Sequence, residues 1–166
     1  MPVEQCVQIG LALTRALAHL HKCGLVHRDV KPSNVIYVGG VARLADIGLV
    51  TTAGDSRSFV GTEGFIPPEG PGTRPADIYS LGIMAYEMLS GNPPYSRGDH
   101  MSVMYQHVQG KAQPLHEANP SLPRDLVDVI TKAMSVDKLK RYASMDEFRH
   151  ALEDRSEEHT SELQSH

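Results

Sequence analysis

From Val3 to about Lys22, apolar side chains stand at Val7, Ile9, Leu13, Ala16, Leu17 and Leu20, a spacing that predicts one apolar helix face. Gly24 follows as the stop. Two four-residue runs, Val35-Ile36-Tyr37-Val38 and Val41-Ala42-Arg43-Leu44, flank Gly39-Gly40. Glycine takes the positive φ angles that a tight turn requires, so this pattern predicts a β-hairpin. Thr51 to Gly72 is rich in Gly, Pro, Ser and Thr and reads as a loop. Pro75 to Ser90 is apolar nearly all round (Ile78, Leu81, Ile83, Met84, Ala85, Met88, Leu89), and a helix without a polar face belongs at the centre of a core. Gly91-Asn92-Pro93-Pro94 ends it. Three weaker helical patterns follow, roughly Asp99 to Gln109, Pro123 to Met134 and Ser144 to Glu153, with Pro123 and Ser144 as starts for the last two. The expected class is α+β, mainly helical, with one small β-hairpin.

Composition narrows the function classes. With 166 residues there is room for one domain with a real core. Apolar residues at 40% and charged residues at 22% are ordinary for a soluble globular chain. The net charge of −4 leaves no basic footprint for nucleic acid or an anionic membrane. No apolar run reaches membrane-spanning length, and Met1-Pro2-Val3-Glu4 lacks the basic start of a signal peptide. Cys6 and Cys23 lie on one predicted helix and its exit, too far apart to bridge, and two reduced thiols fit a cytoplasmic setting. His19 and His21 are two apart on a helix and point to different faces, so they form no zinc pair.

The chemistry is concentrated in His27-Arg28-Asp29-Val30-Lys31-Pro32-Ser33-Asn34. Beyond the predicted hairpin comes Asp46-Ile47-Gly48. A carboxylate to take a hydroxyl proton, a lysine for phosphate charge and an Asn/Asp pair for magnesium are the parts of phosphoryl transfer. The hairpin brings Asn34 and Asp46 towards one place. This ordered set resembles the catalytic loop and metal-binding motif of protein kinases, and the resemblance runs from near residue 3 to about residue 154.

The resemblance implies the large C-terminal lobe of a kinase, ATP and Mg2+ as cofactors, and a protein Ser/Thr hydroxyl as acceptor. In it Asp29 orients that hydroxyl and takes its proton. Lys31 steadies the transferring phosphate, which marks the serine/threonine type, while Asn34 and Asp46 hold magnesium. His27 matches the structural histidine of the loop and Gly48 keeps its turn free, whereas Ile47 departs from the usual Phe. Arg28 is paired with Asp29 as in kinases whose activation loop is phosphorylated, which makes Thr51, Thr52, Ser56 and Ser58 candidate acceptors.

Gly61-Thr62-Glu63-Gly64-Phe65-Ile66-Pro67-Pro68-Glu69 resembles the substrate-docking end of that segment, with Thr62 bonding Asp29 and Lys31. Glu63 and Pro67 depart from the family pattern there. Glu69 is expected to pair with Arg141 as a buried ion pair, and Asp77 to anchor the catalytic-loop backbone. Tyr79 stands where Trp is frequent. The wording of several motifs looks like the eukaryotic-type kinases of bacteria.

No glycine-rich nucleotide loop and no strand lysine to pair with phosphates occur in the sequence. The expectation is therefore a kinase C-terminal lobe in residues 1–154, without the N-terminal lobe and inactive alone. Residues 155–166 read back codon by codon into a widely used sequencing-adapter oligonucleotide and are expected to be a disordered tail. Two other classes stay open: a pseudokinase, which would be expected to lose Asp29, Lys31 or Asp46, and a lone C-terminal lobe serving as an interaction module.

Overall fold

The computed structural model describes residues 2–45, 50–53, 64–95 and 99–164, with residues 100 and 156–164 as backbone only. It is mostly helical, with two small antiparallel ladders. Helix α1 spans Val3–Lys22 and buries Val7, Ile9, Leu13, Leu17 and His21 along one face. Strands β2 (Val35–Val38) and β3 (Val41–Leu44) pair in the register Val35↔Leu44 to Val38↔Val41. Their turn holds Gly39 at φ 59° and Gly40 at φ 80°, angles that a side chain would resist.

Helix α2 spans Arg74–Ser90 and forms the pillar of the core, with Ile78, Tyr79, Leu81, Ile83 and Met84 at most 1% exposed. It starts one residue before Pro75 because Thr73 Oγ1 accepts a hydrogen bond from the backbone N–H of Ala76 at 3.2 Å. Gly91 closes it in the left-handed conformation. Helices α3 (His100–Gln109), α4 (Leu115–Ala118), α5 (Arg124–Ala133) and α6 (Met145–Gln164) complete the order. α5 lies against α2 at Gly82, where an added Cβ would stand 2.9 Å from the Ala133 Cβ. α6 runs along α1. Burial pushes the Cys6 thiol up to about 12, so it stays protonated, while Cys23 is exposed and both are free.

Three features depart from the sequence reading. Thr51–Thr52 is not loop: it forms β4, paired with β1 (Leu25–Val26) in the register Leu25↔Thr52 and Val26↔Thr51. Two residues carry no alternation to read, and the partner is far along the chain. α4 is a single turn, too short for a period. The third departure is the tail, because α6 continues through Gln164 where disorder was expected from Arg155. No Gly or Pro interrupts that run, and its Glu, Leu and Gln residues favour helix. Arg155 is 3% exposed, with its Nε 3.6 Å from Asp125 Oδ1.

Candidate active site

The loop between β1 and β2 is held from below by α2. Asp77, in the first turn of α2 and 1% exposed, accepts hydrogen bonds from the backbone N–H of His27 (2.8 Å, Oδ2) and of Arg28 (3.0 Å, Oδ1). These bonds hold Arg28 at φ 75°, a left-handed conformation that costs an L-residue free energy and persists only where its surroundings enforce it. The Arg28 side chain is largely buried. His27 is 2% exposed; its Nδ1 accepts from the Asp29 N–H at 3.2 Å and its Nε2 donates to the Ala45 carbonyl at 3.4 Å. The ring thereby ties the loop to the strand that precedes Asp46.

Beyond that anchor, three different side chains converge. Asn34 closes a 3-10 turn (Pro32–Asn34), and its amide nitrogen donates to the Asp29 carbonyl at 2.8 Å and to Asp29 Oδ2 at 3.1 Å. Lys31 Nζ stands 3.7 Å from the same Oδ2. The Asn34 amide nitrogen is thereby committed to Asp29. The carbonyl of Asn34 accepts from the Ala45 N–H at 2.7 Å, so the hairpin register brings the residue before Asp46 onto Asn34. One carboxylate, one ammonium and one amide therefore share a loop anchored on the most buried helix of the chain.

Residues 1–153 match the protein kinase domain family. A probable serine/threonine-protein kinase of Clostridium perfringens is 36% identical over 157 residues, covering 89% of this chain and 23% of its own length. Serine/threonine-protein kinase PknB of Mycobacterium leprae is 33% identical, with 90% and 26% covered. PrkC of Bacillus subtilis is 30% identical, with 87% and 24% covered. The chain belongs to the protein kinase family. These bacterial relatives are serine/threonine-protein kinases by name, and the chain spans about a quarter of their length.

Elsewhere in the kinase fold, Arg141 and Glu69 form a bidentate pair, Nη1 to Oε1 at 2.5 Å and Nη2 to Oε2 at 3.0 Å. The expected pair is thus buried on the arginine side only: the Arg141 side chain is 0% exposed and that of Glu69 23%. Arg141 also donates to the carbonyls of Ser135, Pro75 and Val136, and its guanidinium lies 4.8 Å from the Tyr79 ring centroid. Asp46, Ile47, Gly48, Ser56, Ser58, Gly61, Thr62 and Glu63 lie outside the described residues. Thr51 and Thr52, the remaining candidate phosphate acceptors, sit in β4, Thr52 exposed and Thr51 half-buried.

Two histidines escaped the sequence reading. His21 is 5% exposed and its Nε2 donates to Asp77 Oδ2 at 2.8 Å, so it shares the anchor of the loop between β1 and β2. Its position four after Leu17 on the buried face of α1 was the available signal. His107 of α3 is 2% exposed and shares a 2.5 Å hydrogen bond with the Tyr79 hydroxyl, while the Tyr95 ring lies 4.4 Å from it. Burial drives the His107 pKa down to about 4. Nothing in the linear pattern separates it from a solvent-facing histidine. Among the described residues no group of three metal-ligating side chains gathers, and no helix is long and apolar enough to cross a membrane.

Proposed function

We propose that this chain supplies the catalytic loop and substrate-facing lobe of a protein kinase that transfers the γ-phosphoryl group of ATP to Ser or Thr hydroxyls of proteins. The supporting observation is the convergence on Asp29, whose carboxylate is met by the Asn34 amide at 3.1 Å and the Lys31 ammonium at 3.7 Å. In this reading Asp29 accepts the proton of the substrate hydroxyl as its oxygen bonds to the γ-phosphorus and the bond to the bridging oxygen of ADP breaks. Lys31 donates hydrogen bonds to the oxygens of the moving phosphoryl group. Asn34 and Asp46 would hold Mg2+, which neutralises phosphate charge when bound. Thr62 would bond Asp29 and Lys31 and set the serine/threonine preference.

The same reading assigns the nucleotide-covering lobe to another part of the parent protein. Ile36, Tyr37, Val38 and Val41 of the hairpin are 46%, 54%, 53% and 49% exposed, an apolar edge of the sort that a second body covers. The sequence holds no glycine-rich phosphate loop, so the 166-residue chain by itself is expected to be inactive. We read residues 155–166 as adapter-derived and the parent as a cytoplasmic catalytic domain. Sequencing the source locus through both ends tests the first point. For the function, the parent kinase is assayed with ATP, Mg2+ and a generic protein substrate, beside its variant at the Asp29 position. Asp29→Asn should lower kcat by about 10²-fold or more with ATP binding retained. An unchanged rate would remove Asp29 from the chemistry.

A further inference from the structure

Helix α3 rests on the core through two side chains. Val103 and His107, one turn apart, are 4% and 2% exposed and are the only buried ones among the described side chains of α3. Met101, Tyr105 and Val108 occupy its other face and are exposed. Gly110 ends the helix in the left-handed conformation, at φ 64°. We propose that His107 is a proton-operated latch, and that acid releases α3 from α2 while the rest of the core stays folded. The proposal does not rest on the kinase reading.

The latch is built for a neutral ring. His107 Nδ1 and the Tyr79 hydroxyl are 2.5 Å apart, and the Tyr95 ring lies 4.4 Å from the imidazole, centroid to centroid. Nε2 is shut off from solvent and has no hydrogen-bond partner. In either neutral tautomer one nitrogen bonds the hydroxyl and the other stays unpaired. A second proton makes both nitrogens donors. The hydroxyl can accept from Nδ1, but Nε2 then becomes a cationic N–H buried without an acceptor, which a closed site opposes strongly.

Among the described residues no carboxylate pairs with the ring to offset that cost, and burial is what lowers its pKa, to about 4. α3 itself carries no Lys, Arg, Asp or Glu between His100 and Gln109. From α2 and the segment that follows it, the titratable groups against the imidazole are Tyr79 and Tyr95, whose own pKa values burial raises. The Arg141 guanidinium, 4.8 Å from the Tyr79 ring centroid, and its partner Glu69 are the charges that act on Tyr79.

Once α3 lifts, the imidazole meets water and titrates near pH 6.5. The lifted state therefore takes the proton first, and its population rises as pH falls. With a docked pKa of about 4, the ratio of lifted to docked helix grows about twentyfold from pH 7 to pH 5. A helix of ten residues is marginal in water by itself, so lifting opens its amides to exchange. α2 keeps its packing against α1 and α5 throughout.

The test is hydrogen–deuterium exchange of the 166-residue chain at pH 7, 6 and 5, corrected for the intrinsic rate at each pH, with peptides from α3 and α2 compared. α3 should be less protected than α2 at every pH, and its protection should fall about twentyfold between pH 7 and pH 5. His107→Gln keeps a polar group for the Tyr79 hydroxyl without a titrating proton and should remove that fall. Tyr79→Phe takes away the hydroxyl and should lower α3 protection already at pH 7. Equal protection of α3 and α2 would mean that α3 opens only when the whole chain unfolds, and would overturn the latch. So would α3 protection that is independent of pH, a fall that survives His107→Gln, or unchanged α3 protection in Tyr79→Phe.

Discussion

His21 of α1 and Asp77 of α2 meet at 2.8 Å, both buried. Asp77 then accepts from two successive backbone N–H groups, those of His27 and Arg28 in the loop that carries Asp29. The position of Asp29 is thereby decided inside the core and not by the loop's own propensity.

Asp77→Asn keeps the volume but turns one acceptor into a donor facing another donor. Urea denaturation should show a loss of about 3 kcal/mol, since a buried charge-assisted network loses one bond and gains a clash of like dipoles. A change within 0.5 kcal/mol would mean that the loop holds itself.

Glu69 and Arg141 make unequal contributions. Glu69→Gln leaves the guanidinium with three carbonyl acceptors and should cost about 1–2 kcal/mol. Arg141→Met strips those carbonyls of their donor and leaves Glu69 alone, for a cost of about 3–5 kcal/mol. The order of the two denaturation midpoints checks this.

The His107 environment sets a pH dependence. Unfolded, an imidazole titrates near pH 6.5. Folded, burial holds this one near 4. The unfolded chain therefore takes up the proton first, and its uptake opposes folding. Stability from this group is full above about pH 6.5 and declines, by roughly 3 kcal/mol at most, as pH falls towards 4. His107→Gln should flatten that part of the stability curve relative to the parent chain, measured by urea melts at pH 7, 6 and 5.

Gly82 is a packing glycine. Gly82→Val would drive a branched side chain into Ala133 and Met134 and should destabilise by about 1–3 kcal/mol. Calorimetry on that variant, with Gly91→Ala as a turn-only comparison, separates crowding from backbone strain.

Much of the architecture was legible because its determinants are local. The period of α1, the Gly39-Gly40 turn and the all-round apolar face of α2 each follow from neighbouring residues, and their observed bounds agree with the pattern to within a residue. The caps explain the small offsets: Asp99 and Ser144 stand outside their helices, accepting from the N–H groups of Ser102 and Glu147. Where no local period exists, in the two-residue ladder of β1 and β4 and the single turn α4, the pattern was silent or misleading.

By itself the sequence determined the helical class, the hairpin and the ordered motif from His27 to Asn34, since each rests on spacing along the chain. Tertiary structure alone decided which partners those residues meet. It brought His21 under Asp77, set Lys31 and Asn34 on one carboxylate, hid His107 against Tyr79, and left Glu69 at the surface while burying Arg141. Apart from the local meeting of Lys31 and Asn34 on Asp29, those outcomes depend on contacts between residues tens of positions apart, whose burial and desolvation no linear pattern encodes.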